Sequence, residues 1–435
     1  MANSDTQLLS NMQFALKRIH EPMLQRMIFE ENTLYALMTR KPAKLSAEGD
    51  EMIFPVQTDT VESFRATTED GNLARPTVIG GFTASIPKKI HTSSIQLSHI
   101  TDLWTRAQRA SYIRAKTKLI EEVGRGFKRK FNEIFYRDGT AAVGRVNGAP
   151  DMALGLITLD APYAAASGLT PGIDNIRKHM RLQASANKDG TALERTVDVQ
   201  VMKKYPATNQ IEVKGPMPDL ADDDFLFYEG SKNMVTDGLL SIINSGSVKD
   251  TYLGVSRAAE PLWASQEVAF PAGGSVENEI IKLANRIRSS EAGGLDGALG
   301  KRSGFIFLTT PGVVQTWWEQ LSVDRRYMIE TMTRNAAPVL PAGYTDSYMW
   351  TPVTGPLQTK TNTVCPAGYG FLMFFNDNIW HLSQTKDPGW YDDYGGVFDR
   401  VRGTFLIEAT WYWVVQLVCA RPDLQGVLSG IPESV

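Results

Sequence analysis

The side chains that could do chemistry in this 435-residue chain are few, and their spacing fits no catalytic or metal-binding pattern. The five histidines and the two cysteines, Cys365 and Cys419, lack the short spacings of a zinc site. The glycine-rich stretch at 293–297 is the nearest approach to a phosphate loop, but it lacks the lysine. No Gly-x-Ser-x-Gly elbow occurs. We therefore expect no catalytic residue, no cofactor and no metal.

Two carboxylate clusters could oppose the expectation of no metal and no catalytic residue. The three aspartates at 222–224 could bind a cation, but they lack the spaced ligands and the glycine of a calcium loop, which favours a solvated loop. Asp392 and Asp393 follow Trp390 and Tyr391 and could form the carboxylate pair of a carbohydrate-active enzyme. Adjacent side chains on a strand point to opposite faces, so this enzyme interpretation is the weaker one.

Large aromatic side chains are concentrated near the C-terminus. Such a cluster could be a ligand platform, but it is more typical of a core or a subunit interface, where large surfaces lose water. Its members are Trp380, Trp390, Tyr391, Trp411, Tyr412 and Trp413.

The composition describes an ordinary globular protein of two or three domains. Hydrophobic residues make up 43% and charged residues 21%, and the net charge of -3 gives no global case for nucleic-acid binding. Two cysteines exclude a disulfide framework and predict a reducing compartment. The most apolar run, 405–420, contains Glu408 and Gln416 and is too short to cross a bilayer. The N-terminus lacks the features of a signal peptide, so we expect a soluble cytoplasmic product.

The stretch 101–137 predicts one long helix because it contains no proline and its apolar residues recur every three or four positions. At about 1.5 Å per residue, it would span roughly 50 Å. Gly124 and Gly126 could mark a bend or the close approach of another chain. The opposite face is basic, which is also typical of an ordinary solvated face. The apolar stripe comprises Leu103, Ala107, Ala110, Ile113, Ile120, Val123, Phe127, Phe131 and Ile134.

Two excursions precede this helix. Residues 1–44 predict an arm with short helices that packs on another part of the fold or on a neighbouring chain. Residues 45–100 alternate like strands and predict a long two-stranded hairpin, with 88–97 as its returning strand. An isolated hairpin is marginally stable in water, so we expect it to lie across another subunit. The alternative is the edge of an ordinary sheet.

The rest of the chain mixes both periodicities. We predict a helix from Thr170 to about Ala184, strands at 196–201, 211–213 and 225–228, and a helix over 276–290. A buried strand at 305–308 should lead into a helix with proline in its first turn. Short strands should follow from 337 to 435.

The phrase between Asp250 and Trp263 resembles one found in the major capsid proteins of tailed double-stranded DNA bacteriophages. The matching positions are Tyr252, Gly254, Val255, Arg257 and Trp263. The Asp-Gly-Thr segment at 138–140 and the stretch 390–396 also look like capsid phrases. No single motif is specific, and the order of elements carries most of the resemblance.

This resemblance implies an α+β capsid fold with a particular division of the chain. The implied parts are an N-terminal arm (1–44), an extended β-loop (45–100), a spine helix and peripheral domain (101–189), a β-rich insertion (190–235), an axial domain (236–390) and C-terminal strands returning to the peripheral and axial domains (391–435).

The resemblance also implies a structural protein and not an enzyme. Pentamers and hexamers would form an icosahedral shell around packaged double-stranded DNA, assembled in the host cytoplasm and residing in the virion, with a portal and scaffolding or decoration proteins as partners and no membrane. Implied subunit contacts are Phe54, Phe64, Ile86, Lys88 and Lys89. The implied core signature is Tyr252, Gly254, Arg257 and Trp263. Arg106, Arg109 and Lys116 would face the DNA and screen phosphates without reading sequence.

Three expectations qualify this picture. No cleaved scaffolding segment fits before Leu45, so we expect a separate scaffolding protein or none. We expect no lysine–asparagine cross-link, although Lys88 and Lys89 lie on the returning strand. An encapsulin-like protein compartment with a similar fold stays open as an alternative.

Overall fold

A computed structural model describes residues 34, 43–46, 52–58, 63–64, 66–67, 75, 79–106, 115–162, 172–188, 195–217, 219–289, 305–324, 348–350, 357–375, 379–391 and 397–433. It has the α+β composition expected from the sequence. The helices are α1 (His99–Arg106), α2 (Ala115–Tyr136), α3 (Leu239–Ile242), α4 (Val276–Arg288) and α5 (Pro311–Asp324).

The strands are short, with two exceptions near the C-terminus. They are β1 (Ala43–Ser46), β2 (Met52–Gln57), β3 (Gly81–Ile86), β4 (Ile90–Ser98), β5 (Ala142–Val146), β6 (Leu156–Asp160), β7 (Arg181–Ser185), β8 (Asp198–Tyr205), β9 (Gln210–Lys214), β10 (Phe225–Tyr228), β11 (Thr251–Tyr252), β12 (Val255–Ser256), β13 (Gln266–Ala269), β14 (Phe305–Thr309), β15 (Tyr348–Trp350), β16 (Leu357–Thr361), β17 (Tyr369–Phe374), β18 (Trp380–Trp390), β19 (Asp399–Arg400), β20 (Leu406–Cys419) and β21 (Gly426–Ser429).

The predicted hairpin is shorter than its sequence suggested. Strands β2 and β3 pair antiparallel from Met52 opposite Ile86 to Gln57 opposite Gly81. The predicted returning strand at 88–97 instead forms β4, which pairs antiparallel with β20 along nine residues. The prediction of one long hairpin over 45–100 was therefore wrong in its second half. A period of two predicts a strand but does not specify its partner.

The predicted long helix corresponds to α1 and α2, and residues 107–114 between them lie outside the described residues. In α2 the predicted stripe is buried at Val123, Phe127, Phe131 and Ile134. Leu103 of the same predicted stripe lies in α1 and is exposed. Helix α2 ends at Tyr136, next to a turn at Gly139 with a φ of 79°. This position requires the left-handed region, which glycine adopts without strain.

A closed six-stranded barrel follows α2, in the order β10-β5-β6-β9-β8-β7. The strands predicted at 196–201, 211–213 and 225–228 are confirmed as β8, β9 and β10. They close one barrel with β5, β6 and β7, so the boundary drawn between 189 and 190 falls inside it. The predicted helix over 170–184 was wrong, because this stretch contains one short 3-10 turn (Gly172–Asn175) and strand β7.

Two larger sheets complete the architecture. One has the order β1-β18-β20-β19, with β4 also on β20, and the other has the order β13-β21-β17-β14-β16-β15. Helix α4 confirms the helix predicted at 276–290, and β14 is buried at all five positions, as predicted. One continuous buried core links α2, the phrase region and both sheets. In the part of the chain described here, no helix has the length and apolar character needed to cross a membrane.

Candidate functional site

The phrase 250–263 begins with a tight ribbon of β11 and β12. Its central residues, Leu253 and Gly254, have φ angles of 50° and 81°. Two consecutive positive φ angles are typical of the hairpin turn whose twist matches that of the strands. The carboxylate of Asp250 holds the ribbon from the side, accepting hydrogen bonds from Ser256 Oγ at 2.7 Å and from the Ala258 N–H at 3.1 Å.

Arg257 projects from this ribbon into the core and is 2% exposed. All five of its N–H donors are used, as a planar guanidinium allows. Nε donates to Trp263 O at 3.4 Å, and Nη2 donates to Ser241 O at 2.8 Å and Ile242 O at 2.9 Å. Nη1 donates to Asn244 Oδ1 at 3.1 Å and to Lys249 O. Burial lowers the pKa of Arg257, while Tyr252, Asp237 and Asp250 favour its charged form.

Tyr252 and Trp263 form the aromatic half of this arrangement. Their rings stack with centroids 5.7 Å apart, and Trp263 Nε1 donates to Tyr252 O at 3.1 Å. Tyr252 Oη accepts the Cys419 N–H of β20 at 2.8 Å, and burial raises the tyrosine pKa. Phe82 of β3 packs edge-on against Trp263, with centroids 5.2 Å apart. The phrase therefore joins the base of the β2–β3 hairpin to β20. Gly254 itself lies exposed at the turn.

The structure separates the five residues predicted to contact other subunits. Ile86 is 3% exposed inside the core, and Phe54 packs on Trp263 with centroids 6.3 Å apart. Both hold the hairpin on its own subunit, and their contact with another subunit stays a prediction. Alternation along β2 turns Phe54 inward.

Lys89, also predicted as a subunit contact, donates to Asn233 O within the chain at 2.9 Å, and Lys88 is half-buried. Phe64, by contrast, is 92% exposed. Ile53 and Ile79 in the same excursion are exposed at 64% and 57%. Exposed apolar side chains thus lie both at the base of the hairpin, at Ile53, and beyond it, at Phe64 and Ile79.

The predicted DNA-facing residues are only partly located. Arg106 ends α1 and Lys116 lies in the first turn of α2, whereas Arg109 lies outside the described residues. On α2, Lys128 is exposed, and Arg125 forms an ion pair with Glu122 at 3.5 Å.

The three aspartates at 222–224 form hydrogen bonds and ion pairs within the barrel. Asp222 accepts the Gly148 N–H at 2.7 Å, Asp223 pairs with Arg145 at 2.5 Å, and Asp224 holds Arg195 through two hydrogen bonds. Within the described ranges, no group of three His, Cys, Asp or Glu side chains could hold a metal ion. Asp392 and Asp393 lie outside the described residues.

The aromatic cluster belongs to the β18–β20 pair. Trp390 lies opposite Trp411 with ring centroids 5.0 Å apart, and Tyr391 packs on Tyr412 at 5.9 Å. Trp380 and Trp413 are buried, and their indole N–H groups bond within the core. Trp380 and Trp413 thus belong to the core, whereas Tyr391 at the end of β18 is 47% exposed.

Sequence reasoning missed Asp237, a buried carboxylate between the barrel and the sheets. It accepts from Ser241 Oγ at 2.8 Å, Lys249 Nζ at 2.6 Å and Gln416 Nε2 at 2.9 Å. Nothing in its local sequence distinguishes it, because one of its partners lies 179 residues away.

Comparisons with solved structures show which known folds this fold is similar to. No protein-family model and no curated protein sequence matches the chain. The capsid asymmetric unit of cyanophage A-1(L) aligns with a TM-score of 0.54 and 12% identity, covering 95% of this chain and 96% of that one. The native GTA particle capsid gives 0.49 at 10% identity, covering 96% of each chain. The holo-SrpI encapsulin complex of Synechococcus elongatus PCC 7942 gives 0.45 at 9% identity, covering 98% and 95%.

Proposed function

We propose that this chain, which has the fold of a tailed-phage major capsid protein, is the subunit of a closed icosahedral shell. Copies associate as pentamers and hexamers, and the shell encloses packaged double-stranded DNA in the virion. A portal and separate scaffolding or decoration proteins are its further partners. The observation that carries the proposal is the fold match, which spans nearly the full length of this chain and of the cyanophage capsid chain.

The exposed surface of the hairpin supports the same proposal. Strands β2 and β3 are fixed to the body through Phe54 and Phe82, which both pack on Trp263. Beyond this base, Phe64 is almost fully exposed. Fully burying a phenylalanine side chain contributes about 1.5–3 kcal/mol. A neighbouring copy that covers Phe64 therefore stabilises the assembly without changing the fold of the subunit.

The first experiment is negative-stain electron microscopy of the purified, concentrated chain. We expect closed shells, or rings of five and six subunits. A monodisperse monomer, even after a scaffolding partner is added, would overturn the proposal. Mass spectrometry of shells purified from the expression host separates the two functions. A second protein enclosed in the shells would favour an encapsulin-like compartment.

A matched pair of variants tests the role of the hairpin. Phe64→Asp places a charge where apolar burial is needed, and we expect free subunits with unchanged circular dichroism. Ser63→Asp adds the same charge at the neighbouring exposed position and should assemble like the wild type. Assembly of Phe64→Asp at wild-type yield would show that this side chain is outside the interface.

A further inference from the structure

A cleft of about 400 Å³ opens between helix α2, strand β4 and the chain leaving the barrel at 229–235. Lys130 of α2 lines this cleft, together with Ser93 of β4 and Ser231. Gly126 lies one turn earlier on the same side of the helix, and a Cβ added there would meet nothing within 4 Å. A molecule in the cleft therefore has open space beside Lys130, whose side chain is 28% exposed.

The contacts of the Lys130 amine are long. Its Nζ lies 3.7 Å from the centroid of the Tyr228 ring, 3.9 Å from Glu133 Oε2 and 4.0 Å from Met180 Sδ. A normal N–H···O hydrogen bond is about 2.7–3.2 Å long. Because none of these three contacts is a short hydrogen bond, the amine can turn towards the cleft without breaking one.

The surroundings of Lys130 favour its neutral form. Burial lowers the pKa of Lys130 from 10.5 to about 7, and Arg129, Arg177 and Arg137 add to this shift. Glu133 opposes it. At pH 7 about half of the Lys130 side chains then carry a neutral amine, against roughly one in 3,000 for a lysine of ordinary pKa. The neutral amine is the nucleophile, and a lysine desolvated beside other cations is typical of an imine-forming site.

The other titratable groups around the cleft are uncharged or paired. Burial lowers the pKa of His91 to about 4 and raises the pKa of Tyr228 well above 10, so both are neutral at pH 7. Glu229 lies 3.8 Å from Arg181. The charges that act on Lys130 are therefore those of α2 and of Arg177.

Glu133 lies where it can carry a proton. Its Oε2 is 3.9 Å from Lys130 Nζ and accepts a hydrogen bond from Tyr228 Oη at 3.3 Å, while its Oε1 is 3.8 Å from Arg177 Nη2. The Glu133 side chain is 4% exposed. The distance between a reacting group and its proton carrier is often long without a ligand and shortens when the ligand binds. Glu133 is therefore the acceptor for the proton that the amine releases on attack.

We propose that Lys130 is a modification site for small aldehydes, which it binds covalently as an imine. The amine nitrogen attacks the carbonyl carbon, and Glu133 transfers a proton from this nitrogen to the oxygen to give a carbinolamine. The C–O bond then breaks and water leaves, so that amine and aldehyde yield imine and water without an oxidant or reductant. The site lies within one subunit, so its tests do not depend on shell assembly or on the proposed function.

The first test treats the purified full chain with butanal and cyanoborohydride, which reduces the imine to a stable amine. Peptide mass spectrometry then compares Lys130 with Lys128, an exposed lysine of the same helix. At pH 7 we expect alkylation of Lys130 to be faster by about tenfold or more, since its neutral fraction exceeds that of an ordinary lysine by roughly 1,000-fold and lower basicity and exposure remove only part of this gain. Equal rates for the two lysines would overturn the proposal.

The pH dependence of a second reaction provides an independent test. Acetic anhydride acetylates neutral amines and releases acetate. Acetylation of Lys130 should level off above about pH 8, whereas acetylation of Lys128 should keep rising to about pH 9, because the rate follows the neutral fraction of each amine. A parallel rise for both lysines would show that Lys130 is an ordinary surface amine and would overturn the proposal.

A matched pair of arginine variants tests the electrostatic argument. Arg177 and Arg145 are exposed at 42% and 40%, and of the two it is Arg177 that lies 3.8 Å from Glu133. Arg177→Gln removes a cation near the amine and should raise the pKa of Lys130, so both reactions at Lys130 should slow severalfold at pH 7. Arg145→Gln should leave both rates unchanged. Equal effects of the two substitutions would overturn the argument.

Glu133→Gln tests the proton transfer. Glutamine keeps the size of the side chain but does not carry the proton, so trapping of butanal at Lys130 should fall by about fivefold or more. Acetylation of Lys130 needs no loss of water from a carbinolamine and should stay at the wild-type rate or rise. Equal falls in the two reactions would overturn the role of Glu133.

Discussion

Replacing Arg257 by methionine should destabilise residues 241–263 far more than a substitution at the protein surface does. Methionine fills similar volume but donates no hydrogen bond. Three of the five acceptors keep another donor. Asn244 Nδ2 donates to Ser241 O, and the Gly246 N–H donates to Asn244 Oδ1. Ser265 Oγ donates to Ile242 O. Among the described residues, Lys249 O and Trp263 O have no other hydrogen bond.

The magnitude follows from these two carbonyl groups. The buried Trp263 carbonyl left unsatisfied costs about 1–3 kcal/mol, and the half-buried Lys249 carbonyl loses a hydrogen bond to a charged group, which costs about 1.5–3 kcal/mol. Removing a buried charge returns part of this, because the guanidinium no longer has to be desolvated. We expect a loss of about 3 kcal/mol, which is roughly a 100-fold increase in the equilibrium constant for local opening. Arg257→Lys keeps the charge but has three N–H donors, so its stability should fall between that of the wild type and that of Arg257→Met.

Hydrogen exchange followed by mass spectrometry measures this opening in peptides covering 241–263. Arg286→Met is the matched control, because Arg286 is exposed and donates one bond to Glu267 O at 3.2 Å. The control should change protection less than about twofold, as is usual for surface substitutions. A change below fivefold for Arg257→Met would refute the argument that this side chain satisfies the surrounding carbonyl groups.

Two further predictions concern groups at the junction of the barrel and the sheets. His91 is neutral in the fold and accepts the Thr236 N–H at 3.2 Å, and burial followed by Lys89 lowers its pKa from 6.5 to about 4. The contribution of neutral His91 to the free energy of unfolding is therefore complete above pH 6.5 and falls by about 2–3 kcal/mol towards pH 4. Thermal unfolding at pH 7 and at pH 4.5 should show that His91→Gln loses less stability between these pH values than the wild type. Equal losses of stability in the two proteins would contradict this prediction. Gly139→Ala would place a Cβ 2.6 Å from Asp237 Oδ1 at a φ of 79°, whereas Gly148→Ala has a φ of 77° and open space. We expect the melting temperature to fall more for Gly139→Ala, since Gly148→Ala carries only the left-handed strain of about 1 kcal/mol; similar shifts would contradict this.

Local periodicity predicted several elements correctly because the burial of each is decided within one segment. The alternation of Val197, Val199 and Val201 places three buried side chains on one face of β8 and the residue before it. The stripe of Ile280, Leu283 and Ile287 likewise predicted the buried face of α4. The helix predicted over 170–184 failed because a proline and an apolar pattern of mixed spacing fit a helix start as well as a 3-10 turn leading into β7.

The residue types of the phrase 250–263 could be picked out from the sequence, but their contacts could not. Arg257 bonds to carbonyl groups up to 16 residues away, and Tyr252 bonds to Cys419, 167 residues along the chain. The sequence also placed Phe54 and Ile86 on a hairpin without indicating that they pack on their own subunit.

By itself, the sequence determined where many of the strands and helices form and which face of each is apolar, as for β8 and α4. Those properties depend on neighbours a few residues apart, and they appear in the sequence as a period of about 3.6 residues in helices and 2 in strands. Only the tertiary structure decided that β4 pairs with β20, that six strands close a barrel across residue 190, and that Asp237 bonds to Gln416. Strand pairing and buried polar contacts depend on segments that are distant in the chain, and such contacts leave no period in the sequence.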